Sequence, residues 1–163
     1  SLNDWKPFLD LFYADPNRWG FTLQLVIMKS LKDREREMKR LQATDPYRII
    51  FTERSPAATL KFINLNFNLG YITSDEEKLL YRIYTDYAYQ RSNGSSINLY
   101  LDVPVETCYE RLRKRDRSCE RGVDLDYLKL VDEQFRSLPD IVMIDGLKST
   151  VNIANDVLSL LIR

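Results

Sequence analysis

The chain has 163 residues, 44% of them hydrophobic, and its 24 basic and 24 acidic side chains cancel. That length suits one domain with a single sizeable core, and the balanced charge gives no bulk attraction to nucleic acid or an anionic membrane. The absence of histidine excludes Ser-His-Asp and Cys-His catalysis and the usual His-containing zinc sites, so no metal ligands are assigned.

The two cysteines, Cys108 and Cys119, lack CxxC spacing, which predicts free thiols in a reducing compartment. No apolar run approaches about 18 residues, and Ser1-Leu2-Asn3-Asp4-Trp5 lacks the basic flank and apolar stretch of a signal peptide. A cytoplasmic location is expected. Without an initiator Met, the sequence reads as one processed or trimmed at its start.

In chain order, an amphipathic segment over 17–42 predicts a helix, followed by a buried strand at 48–52. Helices follow at 56–69, with Gly70 as a stop, and at 75–90. Ser92-Asn93-Gly94-Ser95-Ser96 reads as a loop leading into a second strand at 97–101. Helices at 105–116 and 124–137, a stop at Pro139, a strand at 141–144 and a helix at 148–162 complete the chain. Strands separated by long helical stretches pair in parallel through right-handed crossovers. The expectation is therefore an α/β sheet flanked by helices, with function at the carboxyl ends of its strands.

Three constellations carry chemical character. The run Thr52-Glu53-Arg54-Ser55-Pro56 puts an acid and a base at a strand's carboxyl end before a helix. That suits an active-site rim, and equally a salt-bridged strand end with Ser55 as N-cap and Pro56 at the first helical position. The run from Arg111 to Arg117 packs five cations into seven positions. Glu106 and Glu110 face Glu110 and Lys114 at i,i+4, but beyond Arg113 only Asp116 intervenes. A solvated basic helix is one reading, and an Arg-rich lid over a triphosphate is the other. In the third constellation, Gln24, Ile27 or Met28, and Leu31 share a helical face behind Tyr13-Ala14-Asp15-Pro16 and Trp19-Gly20-Phe21. An amide among apolar neighbours can read the edge of a base, or it can be a partly buried Gln in a core stripe.

Together these pieces resemble the deoxynucleoside kinase family, which includes deoxycytidine, deoxyguanosine and thymidine-type enzymes. The anchors, in order, are Trp5, the Tyr-x-Asp-Pro at 13–16, Trp19, Phe21, Gln24, Glu53-Arg54-Ser55, Tyr100-Leu101, Arg115-x-Arg117-x-x-Glu120 and Tyr127-Leu128. The resemblance implies a P-loop kinase-type three-layer parallel sheet, with one domain over 1–163 and a lid at about 111–120. It implies transfer of the ATP γ-phosphoryl group, with Mg²⁺, to the 5′-hydroxyl of a deoxynucleoside, often by a homodimer. It makes Gln24 the bidentate reader of the base, with Trp5 packing near base and sugar and Met28 lining the pocket. It gives Tyr13 and Glu120 the sugar 3′-hydroxyl, Arg54 the 5′-hydroxyl and Glu53 support of the strand end. Arg111, Arg115 and Arg117 become the lid cations.

Two departures from the family matter. Leu31 and Thr59 stand where members favouring deoxycytidine and purines have Arg and Asp, which implies a pocket open to thymidine and other pyrimidines. No GxxxxGK[ST] occurs. The family's central P-loop strand, its second strand and the acid that takes the 5′-proton therefore have no counterpart, and the family's sheet order would leave a gap between 48–52 and 97–101. These 163 residues are expected to be inactive alone. The alternatives are an inactive nucleoside-binding or subunit-partner homologue, and a nucleoside monophosphate kinase.

Overall fold

The computed structural model describes residues 2–45, 47–54, 56–89 and 97–161. Ser55 and the 92–96 loop lie outside the described residues, as do residues 90 and 162, expected to close two helices; the side chain of Cys119 is not described either. The elements are α1 (Leu2–Ala14), α2 (Pro16–Thr44), α3 (Pro56–Asn68), α4 (Ser74–Tyr89), β1 (Asn98–Asp102), α5 (Val105–Arg115), a 3₁₀ turn (Ser118–Glu120), α6 (Leu125–Arg136), β2 (Ile141–Asp145) and α7 (Thr150–Leu161). The six predicted helices are all present. None of the described helices is long and apolar enough to cross a membrane.

The first helix, α1, is one the sequence did not predict. Pro7 lies inside it and reads as a breaker, since proline removes a backbone donor and crowds the preceding turn. Yet Trp5, Phe8, Leu9, Phe12 and Tyr13 recur at helical spacing. They pack with Leu23, Ile27 and Leu31 of α2 around one core cluster. That burial outweighs the local cost. The Tyr-x-Asp-Pro motif is the joint between the two helices: Asp15 Oδ1 accepts the Arg18 N–H at 3.1 Å, and Pro16 opens α2.

A second cluster, Ile63, Ile72 and Leu80, joins α3 to α4 and receives Phe21, Leu25 and Met28 from another face of α2. The turn between α3 and α4 uses Gly70 at φ +72°, with Gly70 N–H on Phe67 O and Tyr71 N–H on Asn66 O. It is a left-handed helix stop of the kind glycine favours. Gly20 lets this turn approach α2, since a Cβ there would lie 3.0 Å from the Tyr71 carbonyl oxygen.

The sheet among the described residues has two strands, β1 and β2, parallel and in register from Asn98 opposite Ile141 to Asp102 opposite Asp145. The crossover runs through α5 and α6. The strand predicted at 48–52 does not form. These residues are not in a strand, and Ile49 and Phe51 are 58% and 63% exposed. A strand exists through its partner's hydrogen bonds, and no described residue supplies one. Leu99 and Leu101 on β1 are exposed as well.

At the carboxyl end of the sheet, Gly146 N–H donates to Asp102 O at 2.8 Å, and a Cβ on Gly146 would meet Val103 Cγ2 at 2.4 Å. Gly146→Ala is therefore expected to destabilise the protein by about 1–3 kcal/mol through overpacking, read as a lower urea midpoint with an unchanged slope.

Candidate active site

The site begins where α1, α2 and the segment before α3 meet. Trp5 is buried in the first cluster, and its Nε1 has no hydrogen-bond partner among the described residues. Gln24 lies on the same stripe of α2 and is 2% exposed, with Oε1 likewise unpartnered among the described residues. Two buried polar atoms without partners are uncommon in a native core, and each such group costs roughly 1–3 kcal/mol unless something satisfies it. Leu31, about two turns further along, is buried with Trp5, and Thr59 is buried on α3. Met28 packs against the second cluster.

Arg54 follows the extended segment and takes φ +60°, a left-handed conformation that costs a non-glycine residue roughly 1–2 kcal/mol. Its guanidinium stacks 4.8 Å from the Phe62 ring centroid and 5.9 Å from that of Trp5. The neighbouring carbonyl of Glu53 accepts Arg34 Nη1 at 2.6 Å, tying the segment to α2. The strained residue is thus clamped from both sides, and its cation is aimed at the aromatic wall of the site. Pro56 opens α3 as expected.

The basic run resolves into distinct pairings. α5 ends with Asp116 at φ 44°, and Asp116 accepts both Nε and Nη2 of Arg121 at 3.1 and 3.3 Å. The guanidinium beside it holds the Asp116 carboxyl below its ordinary pKa. Arg113 stacks on Tyr109 and donates to its hydroxyl at 2.7 Å. Arg111 Nη2 reaches the Gly146 carbonyl at 3.5 Å, so the structure places it against the end of β2 and does not bring it together with the other lid cations. Arg115 and Arg117 do converge: both donate to Glu120, at 2.6 and 3.4 Å. The sequence reading saw only Asp116 beyond Arg113 as a counter-charge; the 3₁₀ turn folds Glu120 back to supply a second.

That turn packs against α1, so Glu120, 16% exposed, is carried to the helix that holds Tyr13. A carboxylate offers about four acceptor positions, and two guanidinium contacts leave room for a further donor such as a hydroxyl. Tyr13 and Tyr71 both pack edge-on to Phe12, with ring centroids 5.3 and 6.0 Å from it. The sequence reading left Tyr71 and Tyr127 without roles; the one signal was the anchor Tyr127-Leu128. Tyr127 lies within electrostatic reach of Tyr13, Tyr71 and Arg54, and its phenol is pushed up chiefly by burial, then by the two neighbouring phenols.

The arrangement offers aromatic rings set edge to face, a buried amide, a carboxylate between two arginines, and a stacked guanidinium. The deoxynucleoside kinase family matches residues 1–156. The thymidine kinase of Ictalurid herpesvirus 1 is 32% identical over 164 residues, which cover 97% of this chain and 67% of that protein. The mitochondrial thymidine kinase 2 of Homo sapiens is 29% identical over 124 residues, 76% of this chain and 44% of its own length. Among solved structures, M. mycoides deoxyadenosine kinase with bound dCTP superposes with a TM-score of 0.78 over 95% of this chain and 79% of that one, at 15% identity. That likeness establishes a P-loop kinase fold despite the two-stranded sheet. A family match running from residue 1 to residue 156 makes this chain a member of the deoxynucleoside kinase family.

Proposed function

We propose that these residues form the nucleoside pocket and lid of an enzyme that phosphorylates the 5′-hydroxyl of a deoxynucleoside, with a pyrimidine such as thymidine preferred. The observation that carries this reading is Gln24: a buried amide whose Oε1 has no partner among the described residues, on the α2 stripe that packs around Trp5. A base edge brings the complementary donor and acceptor, and the indole packs its ring. Tyr13 and Glu120 then take the 3′-hydroxyl, and Arg54 orients the 5′-oxygen, with Glu53 holding the backbone beside it.

ATP supplies the phosphoryl group and Mg²⁺ offsets its charge when bound. Arg115 and Arg117 fit that role, because both already reach one anionic group, Glu120, and fixed cations are most effective where negative charge develops. Arg111, bonded to Gly146, serves instead to join α5 to the sheet. No side chain here is assigned to Mg²⁺, and no GxxxxGK[ST] occurs in the 163 residues, so the phosphate cradle and the base for the 5′-proton belong to another part of the enzyme. Nucleoside salvage in the cytoplasm is the corresponding setting.

Two measurements test this reading. The protein expressed from its entire open reading frame should convert thymidine to its 5′-monophosphate and leave thymidine monophosphate untouched. The reverse preference would favour a nucleoside monophosphate kinase. Base choice is read from Leu31 and Thr59, both buried. The double substitution Leu31→Arg with Thr59→Asp should move the thymidine-to-deoxycytidine ratio of kcat/KM toward deoxycytidine by about tenfold or more, since one desolvated polar contact is worth about 1–3 kcal/mol. An unchanged ratio would remove Leu31 and Thr59 from the pocket.

A further inference from the structure

Beyond Leu31, α2 is dense in charge, and much of that charge is matched within the helix. Asp33 accepts from Lys29 at 2.7 Å and from Arg36 at 3.4 Å, and Glu37 accepts from Arg40 at 2.9 Å. Arg34 stands apart. It pairs with no carboxylate among the described residues, and its Nη1 donates at 2.6 Å to the main-chain carbonyl of Glu53, 19 residues away. A charged donor on a carbonyl at that distance is a strong contact. Arg34 lies three residues past Leu31, so it flanks the stripe of α2 that carries Gln24, Ile27 and Leu31.

What the bond holds follows from the geometry of the peptide unit. The Glu53 carbonyl and the Arg54 N–H lie in one rigid plane, and the φ of Arg54 is the rotation of its Cα against that plane. A donor fixed on the Glu53 oxygen therefore sets one side of the +60° angle. The guanidinium of Arg54, stacked 4.8 Å from the Phe62 ring centroid, sets the other. Among the described residues, the Arg34 contact is the one hydrogen bond that joins residues 49–53 to another element. These residues form no strand, and Ile49 and Phe51 are exposed, so no ladder shares the task. Without the bond, the backbone of the segment is free to return to the negative φ that residues with a side chain favour.

We propose that Arg34 is a positioning residue for phosphoryl transfer: by holding the Glu53 carbonyl it keeps Arg54 in its left-handed turn, with the guanidinium placed to orient the 5′-oxygen. This rests on the nucleoside-kinase reading and adds to it a residue that touches neither base nor sugar. It also makes α2 a common frame. The helix that carries Gln24 for the base carries Arg34, ten residues or about 15 Å further along, for the backbone beside the 5′-oxygen.

The test is Arg34→Met in the protein from the entire open reading frame, alone and combined with Arg54→Gly. Methionine keeps an unbranched stem and removes the donors. Release of one left-handed residue shifts the population of the turn by about 5- to 30-fold. Thymidine kcat should fall by that factor while KM for thymidine stays within about twofold, because the base and 3′ contacts are untouched. Arg34→Lys should recover most of the loss, since a single carbonyl needs only one donor. In the Arg54→Gly background, Arg34→Met should change kcat no further: glycine takes φ +60° without strain, and no cation is left to position. A clamp with only a structural role would instead lower the urea midpoint and reduce activity by the same factor in both backgrounds. That result, or full kcat in Arg34→Met, would overturn the assignment while leaving the kinase reading intact. Absence of phosphoryl transfer to any deoxynucleoside by the wild type would overturn both.

Discussion

Gln24→Leu is expected to weaken nucleoside binding by about 10- to 100-fold while leaving the folded protein as stable as before, or slightly more so. The two effects separate because of where the amide sits. In the free protein Gln24 Oε1 is buried without a partner among the described residues, so an apolar residue of similar size removes a desolvated acceptor and gives up little. With a nucleoside present the same change leaves base atoms facing hydrocarbon, and each unmade bond to a buried group costs roughly 1–3 kcal/mol. A Gln that served only to fill the core would behave differently: its replacement would shift the urea midpoint and leave affinity unchanged. Titration calorimetry with thymidine and urea unfolding of the same variant therefore distinguish a base reader from a core residue.

Arg54→Gly is expected to lower kcat by about 100- to 1000-fold, the usual range when one preorganised donor is lost from a reacting centre, with stability nearly unchanged. Glycine accepts φ +60° without the roughly 1–2 kcal/mol that a side chain costs there, which offsets its larger backbone entropy and the lost stacking on Phe62 and Trp5. Arg54→Lys keeps the charge but not the planar fork or the strain relief, so it should retain intermediate activity and be the less stable of the two. Full kcat in Arg54→Gly would show that the strained cation is a structural clamp with no role near the 5′-oxygen.

The helices were legible wherever an apolar stripe came with ordinary stop and start residues: α2 through α7 begin and end within about two residues of their predicted bounds. α1 was hidden because Pro7 is a local signal, whereas the packing of Trp5 and Phe12 against α2 is a tertiary one. The failed strand at 48–52 is the converse case. Its β-branched and aromatic residues report a preference, but strand structure depends on a neighbour's backbone, which no propensity encodes. At the site, Gln24, Trp5, Leu31 and Thr59 were all picked out and are all buried. Arg111 was grouped with the lid because one-dimensional charge density cannot tell a cation bonded to Gly146 from those that converge on Glu120. Tyr127 was visible as a motif residue. Only the fold could bring it beside Tyr13 and Arg54.

The most direct test of the central claim is transfer of labelled γ-phosphate from ATP to thymidine, measured for the protein from its entire open reading frame and for residues 1–163 alone. The former is predicted to yield labelled thymidine 5′-monophosphate, and residues 1–163, which contain no GxxxxGK[ST], to yield none above background. Robust turnover by residues 1–163 would contradict the division of labour between pocket and phosphate loop, and absence of label on every deoxynucleoside with the whole protein would contradict the kinase assignment itself.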